Sequence, residues 1–314
     1  VALVRSGLSP SSYRRVTVVA YVLLCIIVVS GAAVRLTNSG LGCVDWPNCN
    51  NEQFIDVSST HAAIEQINRL FTGLVAFGVI AAVLGSLVRR PRRRDLTWLS
   101  LGLVAGVLGQ IVLGAIVVLV DLHPAAVQGH FVLSMVLITN ALVLIRRAGE
   151  PDGVPRRYTV GESTRGRVWA MVVATSLAIL AGTVVTGTGP HAGDEKAPRF
   201  TFFTISEAAR VHGAIVWLAV ISAAVLMWHL RHRPADREPL DGVLTAWFCV
   251  AFLQGAVGYW QYATGVPAWM VAVHIALATA LWSITVWLLL TTSAPDTPAG
   301  AEAPSLDMAE PVQA

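Results

Sequence analysis

The sequence predicts an all-α integral membrane protein with eight transmembrane helices arranged as two parallel-repeat four-helix bundles. Three observations carry this expectation. Of the 314 residues, 55% are hydrophobic and 13% charged, with a mean hydropathy of +0.64; a soluble chain so apolar could not cover its surface, whereas a multi-pass membrane protein can. Eight apolar runs each reach the roughly 20 residues that cross a bilayer. Polar residues inside those runs recur at a constant offset: Gln110, Gly114 and His130 match Gln254, Gly258 and His274, and Asn68 matches His212, each pair 144 apart. A cytosolic enzyme, a secreted disulfide domain and a disordered scaffold are excluded, and no nucleic-acid partner is expected; the net charge of +3 says little, because the placement of the arginines matters more than their sum.

The runs fall at 16–36, 62–88, 96–120, 126–145, 168–187, 208–230, 242–263 and 269–291. The opening residues show neither a short apolar core nor a small-residue cleavage site, so no removable signal peptide is expected. Arginines decide the sidedness. Arg5, Arg14 and Arg15 precede the first span, Arg89 to Arg94 fill the second connection, Arg146 to Arg167 the fourth, and Arg231, Arg233 and Arg237 the sixth. Most of the 22 basic residues thus lie on one face, which the positive-inside rule makes cytoplasmic. The expected organisation is a cytoplasmic N-terminus at 1–15, a first four-helix half at 16–145 and an Arg-rich linker at 146–167. A second half at 168–291 and a disordered cytoplasmic tail at 292–314, rich in Pro, Ala, Asp and Glu, complete it.

Polar groups inside a membrane are costly and call for a functional explanation. Glu65, Asn68 and Arg69 open span 2, His130 opens span 4, Arg210 and His212 open span 6, and His274 lies two turns into span 8. All enter from the outer side, so they share one depth. A lone histidine in an apolar helix is ordinarily a satisfied core residue. Two at one depth on spans 6 and 8 are a means of gripping a haem iron from both sides, and they are too few for an ordinary zinc site. The first half offers His130 with Asn68 opposite, and asparagine is a poor iron ligand, so a porphyrin there would keep one open or weakly occupied side. Glu65 shares a helix face with Asn68, and a carboxyl at the mouth of a low-dielectric pocket suits proton transfer; its plainer alternative is an ion pair with Arg69. Arg35, Arg69 and Arg210 are candidate partners for haem propionates, or snorkel to lipid phosphate. Cys43 and Cys49 share the first outer loop, either as a disulfide or as two reduced thiols.

The run from Gly31 to Pro47, with Arg35, Gly42, Cys43 and Trp46, resembles the first-loop signature of haem A synthases. Ile64 to Leu70 resembles that family's Glu-x-x-His-Arg motif, and His130-Phe131 with Ser134 resembles its fourth-helix motif. Arg210-Val211-His212 and His274 fall where the second half's histidines belong. The resemblance implies an eight-span bacterial cell-membrane oxidoreductase that oxidises the C8 methyl of haem O to the formyl group of haem A for terminal oxidase biogenesis. It further implies haem b on His212 and His274, substrate haem on His130, Glu65 as the catalytic residue and a Cys43–Cys49 disulfide. Implied partners are membrane lipid, an electron carrier and the farnesyltransferase that makes haem O. Asn68 departs from the pattern by replacing the family's other substrate-haem histidine; in that place it can hydrogen-bond an iron-bound ligand or water. Two rival classes remain: an electron-transferring cytochrome b, which predicts two bis-histidine haems and is disfavoured by Asn68, and a transporter with a doubled fold, which needs no haem.

Overall fold

The structure, a computed structural model, describes residues 7–296. Eight long helices make it up: α1 (Pro10–Leu36), α2 (Thr60–Val88), α3 (Arg94–Leu119), α4 (Pro124–Ala148), α5 (Glu162–Thr188), α6 (Ile205–Leu230), α7 (Asp241–Ala263) and α8 (Ala268–Thr291). All eight are long and apolar enough to cross a membrane. They run from 23 residues in α7 to 29 in α2, about 35–44 Å at a rise of 1.5 Å per residue, so their ends extend past the hydrocarbon. That explains why several helices begin before their apolar runs. Pro10 occupies the first turn of α1 and Ser9 caps it, its hydroxyl accepting from the Ser12 amide at 3.2 Å. Ser59 caps α2 in the same way, and Thr204 with Glu207 forms a capping box on α6.

The first four helices close a ring, with α1 and α3 each packed on both α2 and α4. The last four follow the same order, α5 on α6 and α8 and α7 on α8, but α6 and α7 meet only lightly. Tyr13, Leu24, Val79, Leu96, Leu103 and Leu144 fill the first core; Met171, Leu226, Leu230, Trp247 and Leu288 fill the second. A seam of Val28, Ile138 and Val286 joins them. Polar ties cross the seam: Trp282 Nε1 donates to the Met135 carbonyl and Thr139 Oγ1, both at 3.1 Å, and Gln128 Nε2 donates to Thr183 Oγ1 at 2.7 Å. Trp247 also turns inward, donating to Thr285 Oγ1 at 2.9 Å. Outward, Phe77, Trp98, Leu108, Trp217, Phe252 and Tyr259 are exposed, as suits helices that face lipid.

The turn between α3 and α4 has Asp121 and Leu122 at positive φ, and the turn between α7 and α8 has Gly265 and Val266 so. The pairs are 144 residues apart, the offset seen for the buried polar groups.

At the opposite, arginine-rich end the linker carries its own counter-charges. Arg89, fully buried, pairs with Asp152 at 2.8 Å, and Glu150 gathers Arg146, Arg147 and Arg156. The segment from 292 onward, read from composition as a solvated tail, starts differently. Residues Ser293–Pro295 form β2, antiparallel to β1 (Arg156–Tyr158) within the linker. Arg156 and Arg146 fasten it by donating to the Ser293 carbonyl at 3.0 and 3.2 Å. The remainder of that expected tail lies outside the described residues.

Removing one partner of a buried ion pair leaves the other charge stranded. Asp152→Ala is therefore expected to cost roughly 3 kcal/mol, somewhat less than a fully enclosed pair because Asp152 is itself 26% exposed. Thermal unfolding in detergent measures it, and Asp152→Asn should recover part of the loss.

Candidate functional site

In the second ring, His212 comes from α6 and His274 from α8. The Nδ1 of His212 donates to the Ala178 carbonyl on α5 at 3.0 Å. This fixes the tautomer and leaves the Nε2 lone pair free for a metal. Beside His274 lies the backbone carbonyl of Gln254 on α7, and the two imidazoles are within Coulombic reach of each other. The Nδ1 of His274 is enclosed without a partner in hydrogen-bonding geometry, as is the Nδ1 of His130 on α4. Among the described residues, no Nε2 of these three rings makes a hydrogen bond, and none is enclosed.

Each ring rests against a glycine of the neighbouring helix. A Cβ on Gly182 would lie 3.2 Å from His212 Cε1, one on Gly258 3.1 Å from His274 Cε1, and one on Gly114 3.5 Å from His130 Cε1. The glycines let the helix backbones approach and give the rings a flat wall to stand on. The sequence drew attention to Gly114 and Gly258 by repetition but gave no sign of Gly182 or of the Ala178 carbonyl, because contacts between helices leave no spacing to read.

In the first ring, Gln110 Nε2 donates to the His130 carbonyl at 3.1 Å and to Ser134 Oγ at 2.7 Å, bracing the turn that carries the histidine. Asn68 Oδ1 accepts from Ser30 Oγ on α1 at 2.8 Å. Ser30 was not singled out by the sequence.

Glu65 is 5% exposed and is held on both oxygens. Oε1 accepts from Arg69 Nη2 and Nε at 2.7 and 3.0 Å, and Oε2 accepts from the Cys43 amide at 2.8 Å. The ion pair weighed as the plainer reading of this carboxylate is thus present. Cys43 and Cys49 form a disulfide, and its loop lies directly on the start of α2. A Cβ on Gly42 would sit 2.3 Å from the His61 carbonyl, so only glycine allows the loop this close. Arg69 also donates to the carbonyls of Asn48 and Asp45, both at 3.2 Å. Four of its five N–H groups are then engaged, so it is poorly placed to serve a propionate.

The other two arginines differ. Arg210 is exposed and interacts with Glu207. Arg35 is half-buried, donates to the Thr186 carbonyl on α5 at 2.9 Å and lies beside Arg199. Among the described residues Arg35 makes no ion pair with a carboxylate, whereas Arg210 has Glu207 near it.

These residues fit a porphyrin iron. Three open Nε2 atoms, that of His212 on a tautomer fixed by a backbone carbonyl, are what axial ligation needs, and an arginine such as Arg35 with no carboxylate partner suits a propionate. No cluster of three or more His, Cys, Asp or Glu able to hold a bare metal ion occurs among the described residues.

Comparison with known proteins agrees with this chemistry. Over 84% of the chain and 90% of its own length, the haem A synthase of Exiguobacterium sibiricum is 25% identical. That of Listeria welshimeri is 24% identical over 88% of the chain and 94% of its own length, and that of Lysinibacillus sphaericus 23% over 87% and 92%. The pattern defining the COX15-CtaA family, cytochrome oxidase assembly proteins, matches residues 14–65 and 52–194, which take in α1 to α5. With more than half its length matched by that pattern, the chain belongs to the COX15-CtaA family.

Proposed function

We propose that this protein is a haem A synthase of a bacterial cell membrane, oxidising the C8 methyl of haem O to the formyl group of haem A. The observation that carries the reading is the set of open imidazole Nε2 atoms, each ring seated on a glycine. Relatives named haem A synthase, matched along nearly the whole chain, support the same conclusion.

In this reading His212 and His274 of the second half, 168–291, would hold haem b, and His130 of the first half, 16–145, would hold the substrate haem. A bound haem would supply one-electron redox chemistry, exchanged with an outside carrier. The chain contributes orientation and charge. Ala178 sets the His212 tautomer. Arg35, with Arg199 beside it, provides the positive field for a propionate. Glu65, held by Arg69 and the Cys43 amide, exchanges a proton with the reacting region at Oε1 or Oε2. The disulfide loop positions it. Arginine placement supports both termini being cytoplasmic, which puts the site toward the outer face and leaves the enzyme to receive haem O from the farnesyltransferase within the bilayer.

The direct test expresses the protein with that farnesyltransferase in a host lacking haem A, then identifies extracted haems by chromatography and mass. Haem A should appear; its absence, with protein present in the membrane, overturns the reading. Glu65→Gln should lower conversion about 100-fold, the usual scale for a lost general base, with haem b content unchanged. His212→Ala and His274→Ala should each remove the low-spin b-type spectrum from the purified protein. Gly258→Val, which crowds His274, should reduce haem b content several-fold without changing the amount of protein in the membrane.

A further inference from the structure

The two rings differ most at one matched position. Asn68 in α2 and His212 in α6 stand at the same offset, and each is held from behind by the helix before it. Ala178 O in α5 takes the Nδ1–H of His212 at 3.0 Å, whereas Ser30 Oγ in α1 donates to Asn68 Oδ1 at 2.8 Å. In both cases one polar atom is spent on the neighbouring helix and the other stays available. For His212 the available atom is Nε2, a lone pair. For Asn68 it is Nδ2, which carries two N–H bonds and no usable lone pair; among the described residues it makes no hydrogen bond and is not enclosed. In the structure Ser30 takes the Oδ1 end of the amide, and the end presented is a donor.

We propose that the first-half haem is held by His130 alone, and that Asn68 Nδ2 hydrogen-bonds a small exchangeable ligand at the opposite iron position, an anion or water bearing lone pairs. This rests on the proposed haem A synthase reading and deepens it. An N–H cannot ligate iron, but it stabilises an electron-rich group bound there, with a strength that rises when the acceptor is charged. The closed second-half site suits electron transfer, and the first half keeps its iron accessible. Ser30 acts through Asn68 and is a positioning residue.

Azide is the probe. The full-length protein, purified with both haems after co-expression with the farnesyltransferase, is oxidised, and its electron paramagnetic resonance is recorded while azide is titrated in the visible spectrum. Azide displaces water without electron transfer, so the readout is independent of turnover. One low-spin and one high-spin haem are expected, with azide converting only the high-spin signal. Asn68→Ala should keep the high-spin signal and weaken azide binding about 10-fold, the scale of one hydrogen bond to a charged acceptor. The near-isosteric Asn68→Asp should weaken it further by replacing the donor with a negative charge. Ser30→Ala should weaken it by a smaller factor, and Asn68→His should yield two low-spin haems and no azide response. Two low-spin haems in the unaltered protein, or azide affinity unchanged in both Asn68→Ala and Asn68→Asp, overturns the proposal. Haem A in the extract alongside either result leaves the enzyme assignment standing and removes only this inference; a protein that binds no second haem and makes no haem A removes both.

Discussion

Hydrocarbon offers no water to polar groups, so each one inside the membrane must find its partner within the protein or be held for a ligand. The molecule is arranged around that constraint. Glu65 is tolerated because Arg69 and the Cys43 amide meet both its oxygens. Gln110 donates its amide N–H groups to His130 and Ser134, while its Oε1 is enclosed without a partner. Trp247 and Trp282 are tolerated because Thr285 and Met135 receive their indole N–H groups. The Nε2 atoms of His130, His212 and His274 differ from the enclosed unpartnered atoms, because they are hydrogen-bonded to nothing among the described residues and yet are not enclosed.

Glycine makes the site possible in two senses. Gly114, Gly182 and Gly258 supply a surface without side chains against which an imidazole can lie. Gly42 lets the disulfide loop rest on the first turn of α2, so that a backbone amide outside the apolar span reaches a carboxylate inside it. A loop commonly read as a cover is here part of the charge balance of the site. The first-half amide and the second-half imidazole show the complementary case, in which similar scaffolds present opposite chemistry because one neighbour is a hydroxyl and the other a carbonyl.

The two ends of the molecule divide the work. At the end away from the arginine-rich linker Arg35 bridges α1 to α5, and the Gly40 amide donates to the Gly193 carbonyl at 2.9 Å, joining the loops of the two rings. At the arginine-rich end, Asp152 and Glu150 compensate Arg89, Arg146 and Arg156, and the short β1–β2 pair ties the linker to the end of α8. Part of the positive charge on which the sidedness argument rests is thus paired with two acids of the linker.

The sequence by itself determined the eight spans, since bilayer thickness sets a length that composition must meet, and it picked out His130, His212, His274, Glu65 and Asn68, since polar groups are conspicuous against an apolar run. It also showed the recurrence at 144 residues, which reappears in the conformation of two turns. Contacts between helices were beyond its reach. The Glu65–Arg69 pair was already an alternative in the sequence, since the two stand four residues apart on one helix; that the Asn48 and Asp45 carbonyls also engage Arg69, that Ser30 and Ala178 contact the matched residues, and that Ser293 to Pro295 form a strand were decided by tertiary packing. The physical reason is that span and polarity are properties of a segment, legible in its own residues, whereas a hydrogen bond between helices depends on crossing angle and rotation, which no single segment encodes.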